Sequence, residues 1–331
     1  NWSCGGPITA RRAAFPPESP PVSRPAIPNA TDLVRSGFVR RRRIVALVMR
    51  AFLFLSAALS VFVTTAIVVI LLKDAGPFFM QVPLTDFLFG TMWTPVFANP
   101  SFGALPLLAA TMQTAGLAML IAVPFGLIMA IYLSEYASHP VRETIKPALE
   151  MIAAVPTVVF GYFALLVMTP FLQTFIPGLR GINLLVPGLI LGIMILPYVV
   201  SVSEDAMRAV PNGLREGAYA LGMAKWQVAL RVVIPGAFSG ITAAFILGMS
   251  RAVGETMVLA IAAGQNANLT FDPREGAATI TAYIVQMSLG DLPHGSLAYR
   301  TIFAVGLLLF IITLIFNVIA FYLRRKYREA Y

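Results

Sequence analysis

The chain has 331 residues, of which 58% are hydrophobic and only 12% are charged. Together with a mean hydropathy of +0.80, this composition lies outside the usual range of soluble proteins and predicts a polytopic membrane protein. The formal net charge is +9, but the lysines and arginines flank apolar runs and form no basic face, which argues against nucleic-acid binding.

The first 43 residues differ in composition from the rest of the chain. They contain seven prolines among scattered arginines and serines, and they end in four consecutive arginines, Arg40–Arg43. Such a segment cannot bury enough apolar surface to fold alone. We therefore predict a disordered Pro/Arg-rich cytoplasmic tail over residues 1–43 and a membrane domain over residues 44–331.

Six apolar segments are long enough to cross a bilayer, which takes about 20 helical residues. Basic residues precede the first segment and follow the last, so the positive-inside rule predicts that both termini are cytoplasmic. The sequence thus predicts an all-α fold with six transmembrane helices. The predicted spans cover approximately residues 51–72, 105–134, 151–172, 182–203, 236–264 and 301–323.

A segment rich in aromatic residues, approximately residues 73–104, joins the first two spans on the outer side. Aromatic residues in this position are typical of an interfacial belt that packs on the outer membrane face. The alternative is a docking surface for an external partner. The aromatic residues are Phe78, Phe79, Phe87, Phe89, Trp93, Phe97 and Phe102.

Two prolines lie inside predicted spans, Pro156 in the third and Pro197 in the fourth. Each removes a backbone donor and can bend its helix, which leaves carbonyl groups and nearby polar side chains to face a pathway. The alternative is that these side chains bond a local carbonyl. The polar residues that we expect along the pathway are Thr157, Tyr198, Ser201 and Thr256.

The loop between the fourth and fifth spans, residues 204–235, has a helical pattern of apolar residues that is interrupted at Gly222. We predict two short amphipathic helices joined there, because glycine readily adopts the left-handed conformation that ends a helix. Such an element can lie across the membrane face and insert into the groove of a soluble partner. The apolar residues are Leu214, Ala218 and Leu221 before the glycine and Trp226, Leu230 and Val233 after it.

Arg251 and Glu255 are the only ionisable residues between Val232 and Thr270. A charge at mid-bilayer costs roughly 2.5 to 3.5 kcal/mol, so we interpret this pair as functional. Four residues make about one helical turn, which places both on one face, where Glu255 can pair with Arg251 while the pathway is empty. The guanidinium can bind an oxyanion through two parallel hydrogen bonds. The alternative is a structural ion pair.

Cysteine and histidine are too scarce to build a metal site or a catalytic cluster. Cys4 is the only cysteine, and the only histidines, His139 and His294, lie in loops predicted on opposite sides of the membrane. We therefore expect that the chain binds no metal and contains no catalytic residue.

The loop resembles the EAA signature of ABC importer permeases: Glu-Ala-Ala, three residues, Gly, nine residues and Ile-x-Leu-Pro. The spacing is intact, although Gly217 replaces the first alanine. The matching residues are Glu216, Gly217, Ala218, Gly222, Val232, Ile234 and Pro235. The resemblance implies that Glu216, Gly217, Ala218, Gly222 and Pro235 couple the chain to a separate ATPase subunit; the alternative is an ordinary amphipathic loop. No GxxxxGK[ST] motif is present, so we expect no cofactor in this chain and ATP and Mg on the partner.

Over approximately residues 51–323 the chain resembles the phosphate-type permeases, and among them the PstC type. Matching stretches are IYLSEYA, AAVPTVVFGYFALLV and SRAVGETMVLAIAAG, and the pattern F-x-x-G-T-x-W-x-P at Phe87–Pro95 favours PstC over its sister type PstA. The resemblance implies a MetI-like type I importer fold, the bacterial inner membrane, a PstA-like second permease, two copies of a PstB-like ATPase and an external PstS-like phosphate-binding protein. A molybdate, tungstate or sulfate permease is the alternative.

Overall fold

The computed structural model describes the backbone of residues 37–326 and the side chains of residues 42–326. Regular secondary structure within these residues is helical, and the only strand-like contact among them is one isolated bridge between Trp93 and Phe102. The predicted all-α class is therefore confirmed. The predicted tail lies outside the described residues as far as residue 36, and a helix already begins at Gly37.

The described residues contain fourteen α-helices. In chain order they are α1 (Gly37–Phe79), α2 (Leu84–Phe89), α3 (Leu105–Ile131), α4 (His139–Ala154), α5 (Thr157–Phe163), α6 (Thr169–Gln173), α7 (Leu185–Arg208), α8 (Asn212–Ala220), α9 (Lys225–Val228), α10 (Ile234–Gly236), α11 (Phe238–Val253), α12 (Met257–Ala262), α13 (Ile280–Ser288) and α14 (Leu297–Lys326). The longest connections precede α3 and α13. Three π-helical turns, Tyr132–Tyr136, Ala164–Met168 and Ala229–Val233, extend α3, α5 and α9. The described residues fall into two units, 37–64 and 65–326, and the contacts discussed below lie within the second.

Four helices, α1, α3, α7 and α14, are long and apolar enough to cross a membrane by themselves. Two bent pairs also qualify: α4 with α5–α6, at an angle of 81°, and α9–α10 with α11, at an angle of 72°. If each pair counts as one span, the described residues contain the six that the sequence predicts. The third predicted span is thus a broken one.

Proline accounts for the break in the third span. α4 ends at Ala154, Val155 is extended with ψ of 130°, and α5 begins directly after Pro156. Proline has no N–H group to donate and excludes the helical conformation from the residue before it, so the helix cannot continue through this position. Pro197, in contrast, lies inside α7, which continues to Arg208.

Helix α7 is the central helix of the bundle, and small residues bring its neighbours close. A methyl group on Gly188 would lie 2.9 Å from Leu117 Cβ of α3, and one on Gly192 would lie 2.7 Å from the Ala118 carbonyl. The start of α11 packs equally closely on α7, since a methyl group on Gly240 would lie 2.4 Å from Ala206 Cβ. Gly188, Gly192 and Gly240 thus permit close helix crossing, as small residues do in membrane helices.

The aromatic segment before α3 is a packed cluster, and the predicted interfacial belt is largely wrong. Phe78, Phe87 and Trp93 are buried and meet edge to face, with ring centroids 5.7 Å apart for the first two and 6.1 Å for the last two. Trp93 in turn packs at 5.1 Å on Tyr283 of α13. Burial of these rings holds the segment on α13 and α14. Of the predicted belt, Phe89 and Phe97 are the exposed members.

Substitution of Gly90 by alanine is expected to destabilise this cluster by about 1 to 3 kcal/mol, as overpacking usually does. An alanine methyl group there would lie 2.6 Å from Gly103 Cα and 2.4 Å from the Asp86 carbonyl oxygen. The matched control is Gly76→Ala in α1, because no heavy atom lies within 4 Å of that position. Thermal unfolding of the purified protein in detergent measures both changes. Equal melting temperatures for the two variants would contradict the expected clash.

Candidate functional site

Arg251 lies in the last turn of α11, and its side chain is exposed at the surface of the described residues. Its Cζ atom is 5.9 Å from the centre of the Tyr198 ring on α7, a distance at which a guanidinium is attracted to the face of an aromatic ring. The structure therefore brings together two of the predicted pathway residues. A charge on an apolar helix is costly against lipid, so this surface requires a polar partner or water.

The helical register predicted for Arg251 and Glu255 is wrong. α11 ends at Val253, and Glu255 lies in a non-helical break at residues 254–256, where its carbonyl accepts a hydrogen bond of 2.6 Å from the Thr281 hydroxyl. Gly254, which favours helix less than other residues do, ends the helix, and the Thr281 contact holds the break. Within residues 42–326 no ion pair joins Arg251 to Glu255.

Thr157 and Thr256 occupy equivalent places next to two helix breaks. Thr157 is the first residue of α5, and Thr256 immediately precedes α12 and donates its hydroxyl to the Gly254 carbonyl at 3.3 Å. α5 and α12 pack on each other, so closely that a methyl group on Gly161 would lie 2.9 Å from Ile261 Cδ1. The breaks in the third and fifth predicted spans thus flank one pair of short helices.

Ser201 has a different surrounding from Tyr198, although both belong to α7. It lines a small cavity together with Pro197, Lys146 and Glu204, on the side of α7 that packs against α4. Its proximity to a pathway through Arg251 stays a prediction.

A buried carboxylate next to Ser201 joins α4 to α7. Glu204 is 1% exposed, its Oε2 lies 2.8 Å from Lys146 Nζ, and its Oε1 lies 3.6 Å from both Arg142 and Arg208. Lys146 also contacts Asp205 at 2.8 Å. Nothing in the sequence motifs singles out these charged residues. The lysine partner is 58 residues away in sequence, and no local pattern marks such a pair.

The loop after α7 folds as the sequence predicts, into two short helices joined at a glycine. α8 ends at Ala220, and Gly222 has a φ of +79°. The turn is closed by two hydrogen bonds, from Gly222 N–H to the Tyr219 carbonyl at 2.9 Å and from Met223 N–H to the Ala218 carbonyl at 3.2 Å. This pattern is the one with which glycine ends a helix.

The turn at Gly222 presents large apolar side chains to the outside. Leu221 is 84% exposed and Trp226 is 54% exposed, whereas Ala218 on the opposite side of α8 is buried. Glu216 and Gly217 are also exposed. We name the segment from Asn212 to Gly236 the coupling element. Its outer surface therefore exposes a large apolar and an aromatic side chain close together.

Arg215 fastens the coupling element to the ends of two long helices. Its Nη2 lies 3.1 Å from Glu135 Oε1 in the π turn after α3, and Nη2 also donates to the Met207 carbonyl of α7 at 2.9 Å. Its Nη1 donates to the Val210 carbonyl at 2.6 Å. Both charged side chains are largely removed from solvent, at 14% exposure for Arg215 and 4% for Glu135. Sequence analysis missed this pair, whose members are 80 residues apart.

Replacement of Gly217 by alanine is expected to stabilise α8 by about 0.5 to 1 kcal/mol, because glycine is a poor residue in a helix interior. No heavy atom lies within 4 Å of the new methyl group. The contrasting variant is Gly222→Ala, which is equally unobstructed but has φ of +79° and is expected to destabilise the same element by about 1 kcal/mol. Thermal unfolding of both variants measures the two effects. A lower melting temperature for Gly217→Ala would contradict the helical assignment.

Comparison with known proteins identifies relatives of this chain. The sequence profile described as "Binding-protein-dependent transport system inner membrane component" matches residues 122–329. The chain is 35% identical over 243 residues to a probable ABC transporter permease protein, YqgH, of Bacillus subtilis, covering 73% of this chain and 78% of that protein. It is 38% identical over 260 residues to the phosphate transport system permease protein PstC of Mesorhizobium japonicum, covering 72% and 77%.

Solved structures of ABC transporters have the same fold. The MetNI methionine ABC transporter in an inward-facing conformation aligns with a TM-score of 0.51 at 19% identity, over 69% of this chain and 95% of that chain. A bacterial alginate ABC transporter in complex with an alginate pentasaccharide-bound periplasmic protein aligns with a TM-score of 0.54 at 16% identity, over 82% and 94%. At these identities the likeness concerns the fold alone.

Proposed function

The chain belongs to the family of binding-protein-dependent transport system inner membrane components, and on that premise we propose that it forms half of the translocation pathway of an ATP-driven inorganic phosphate importer. As a member of this family with several long apolar helices, it is a multi-pass inner-membrane transport subunit. Phosphate is the substrate in the names of relatives such as the Mesorhizobium japonicum and Haemophilus influenzae proteins. The PstC type is the proposed identity within the importer.

The exposed guanidinium of Arg251 carries the proposal. It projects from an apolar helix beside the Tyr198 ring, at a surface of this chain that a second permease would cover. An arginine keeps its proton at all physiological pH values and offers parallel donors that match two oxygens of a phosphate. Glu255, in the nearby break, can accept a hydrogen bond from the hydroxyl group of hydrogen phosphate, which sulfate at neutral pH cannot donate because it carries no proton. The anion thus crosses at the boundary of two permease subunits, close to Arg251.

The exposed apolar side chains of the coupling element support an assignment of the ATPase partner. We assign Leu221 and Trp226 to the groove of an ATPase subunit, with ATP and Mg held by a dimer of that partner and none by this chain. A cavity lined by Ser239 and Arg324 places the end of α14 beside the start of α11, directly after the coupling element. This arrangement supports a cytoplasmic C-terminus, and with six spans the N-terminus would lie on the same side. An external phosphate-binding protein docks on the opposite face.

Reconstitution of the complex into proteoliposomes tests this function. The chain together with a PstA-like permease, the ATPase and the external binding protein is expected to take up phosphate in a manner that requires ATP and is inhibited by vanadate. Phosphate uptake by this chain alone would exclude the ABC importer. Stronger competition by molybdate, tungstate or sulfate than by arsenate would reassign the substrate to another oxyanion.

A further inference from the structure

A cavity of about 600 Å³ lies where the end of α14 meets the start of α11. It is lined by Ser239 and Gly240 from the first turn of α11 and by Phe321, Arg324 and Arg325 from the last turns of α14. Among the described residues, no acidic one lines it. Within residues 42–326, neither arginine forms an ion pair. Two arginines and a serine therefore line one cavity, and no carboxylate of residues 42–326 is paired with those arginines there.

The same end of α14 has an exposed apolar surface that leads up to the arginines. Ile315, Val318 and Ile319 are exposed, and the aromatic residues Phe321 and Tyr322 follow them. In a membrane helix, aromatic residues concentrate at the headgroup level, and arginines one turn further lie among the headgroups. This order of residues is the one expected where a helix leaves the membrane, and Phe321 joins the exposed apolar face of α14 to the cavity.

We propose that this cavity binds the phosphate headgroup of an anionic phospholipid, with Arg324 and Arg325 as the ligands and the acyl chains along α14. Arginine binds phosphate oxygens through short charge-assisted hydrogen bonds, and the Ser239 hydroxyl supplies a further donor. Basic pockets between membrane helices are the usual sites of such lipids. The site is separate from Arg251 and does not depend on which anion the importer carries.

The proposed lipid site lies beside the bend that precedes α11. α11 begins at Phe238, directly after the 72° bend that separates it from the coupling element, and Ser239 is the second residue of α11. A headgroup held between Ser239 and the two arginines joins the start of α11 to the end of α14. The lipid therefore braces the bend through which the coupling element pulls on α11.

The test uses the intact importer complex in nanodiscs of phosphatidylcholine with and without phosphatidylglycerol. Native mass spectrometry counts the anionic lipids that remain bound. We expect retention of phosphatidylglycerol by the wild type, and weaker binding by roughly fivefold for each arginine and about thirtyfold for Arg324→Gln combined with Arg325→Gln. The matched control is Arg300→Gln, near the opposite end of the same helix, which is expected to bind as the wild type does. The double lysine variant keeps both charges and is expected to retain most of the binding.

Two outcomes would overturn the proposal. One is equal phosphatidylglycerol retention by the wild type and the double glutamine variant. The other is displacement of the lipid by inorganic phosphate at a concentration at which sulfate and chloride do not displace it. The cavity would then be a site for free phosphate. The headgroup site is supported if the variant with Arg324→Gln and Arg325→Gln loses the lipid while the variant with Arg324→Lys and Arg325→Lys and the variant Arg300→Gln retain it. Retention by the lysine variant argues against misfolding as the cause of the loss.

Discussion

Replacement of Arg251 by lysine is expected to lower the initial rate of phosphate uptake by about 10- to 100-fold. The charge is kept, but a single ammonium group cannot reproduce the planar pair of donors with which arginine binds two phosphate oxygens. Hydrogen bonds to charged groups contribute about 1.5 to 3 kcal/mol, and each 1.4 kcal/mol corresponds to a factor of ten. Arg251→Gln, which also removes the charge, is expected to reduce uptake further.

The measurement is ATP-dependent phosphate uptake by the reconstituted complex, with ATPase activity recorded in parallel. Tyr198→Phe is the matched control, since it keeps the ring that lies 5.9 Å from the guanidinium and removes only the hydroxyl. It is expected to transport within about twofold of the wild type, whereas Tyr198→Leu removes the ring and is expected to be slower. Normal uptake by Arg251→Lys would exclude two-point binding of phosphate at this residue.

Arg215→Gln is expected to be the most destabilising single change in the coupling element. Removal of one partner of a buried ion pair leaves the other charge uncompensated, at a cost of about 3 to 5 kcal/mol. In this case the uncompensated charge is that of Glu135, and the carbonyl groups of Met207 and Val210 lose a donor as well. ATP hydrolysis is expected to continue in the assembled complex while uptake falls, because the element is no longer fastened to α3 and α7.

The control is Arg231→Gln, at an exposed arginine of the same element that forms no ion pair within residues 42–326. It is expected to leave both melting temperature and uptake unchanged. A double-mutant cycle with Glu135→Gln isolates the pair, and the two changes together are expected to cost less than the sum of the single changes. Additive effects would show that the two side chains act independently.

Local signals in the sequence predicted local structure well. Gly222 ends α8 in the left-handed conformation, and Pro156 breaks the third span. Both effects depend only on the backbone of that residue and its immediate neighbour. The predicted face shared by Arg251 and Glu255 failed for a tertiary reason. The break after Gly254 is held by the Thr281 hydroxyl, which is 26 residues away in the chain.

Residues with distant partners were the ones that the sequence could not reveal. Glu204 and Glu135 look like ordinary carboxylates at the ends of apolar segments, yet each is buried with a cation that lies 58 or 80 residues away. The aromatic segment was also ambiguous, since a belt at the membrane surface and a packed cluster have the same composition. Burial of Phe78, Phe87 and Trp93 distinguishes the cluster, together with the close approach of Gly90 to Gly103, and both appear once the chain is folded.

Because Arg215 attaches the coupling element to α3 and α7, the element is connected to the membrane helices by two routes. One route runs through Arg215 to α3 and α7, which glycine contacts hold together as a single body. The other runs through the bend before α11. Tyr198 belongs to α7 on the first route and Arg251 to α11 on the second, so the ring and the guanidinium lie on two helices that the coupling element contacts in different ways. A conformational change that moves α7 and α11 by different amounts changes the distance between the Tyr198 ring and the Arg251 guanidinium. That distance determines how much the ring competes with an anion for the guanidinium.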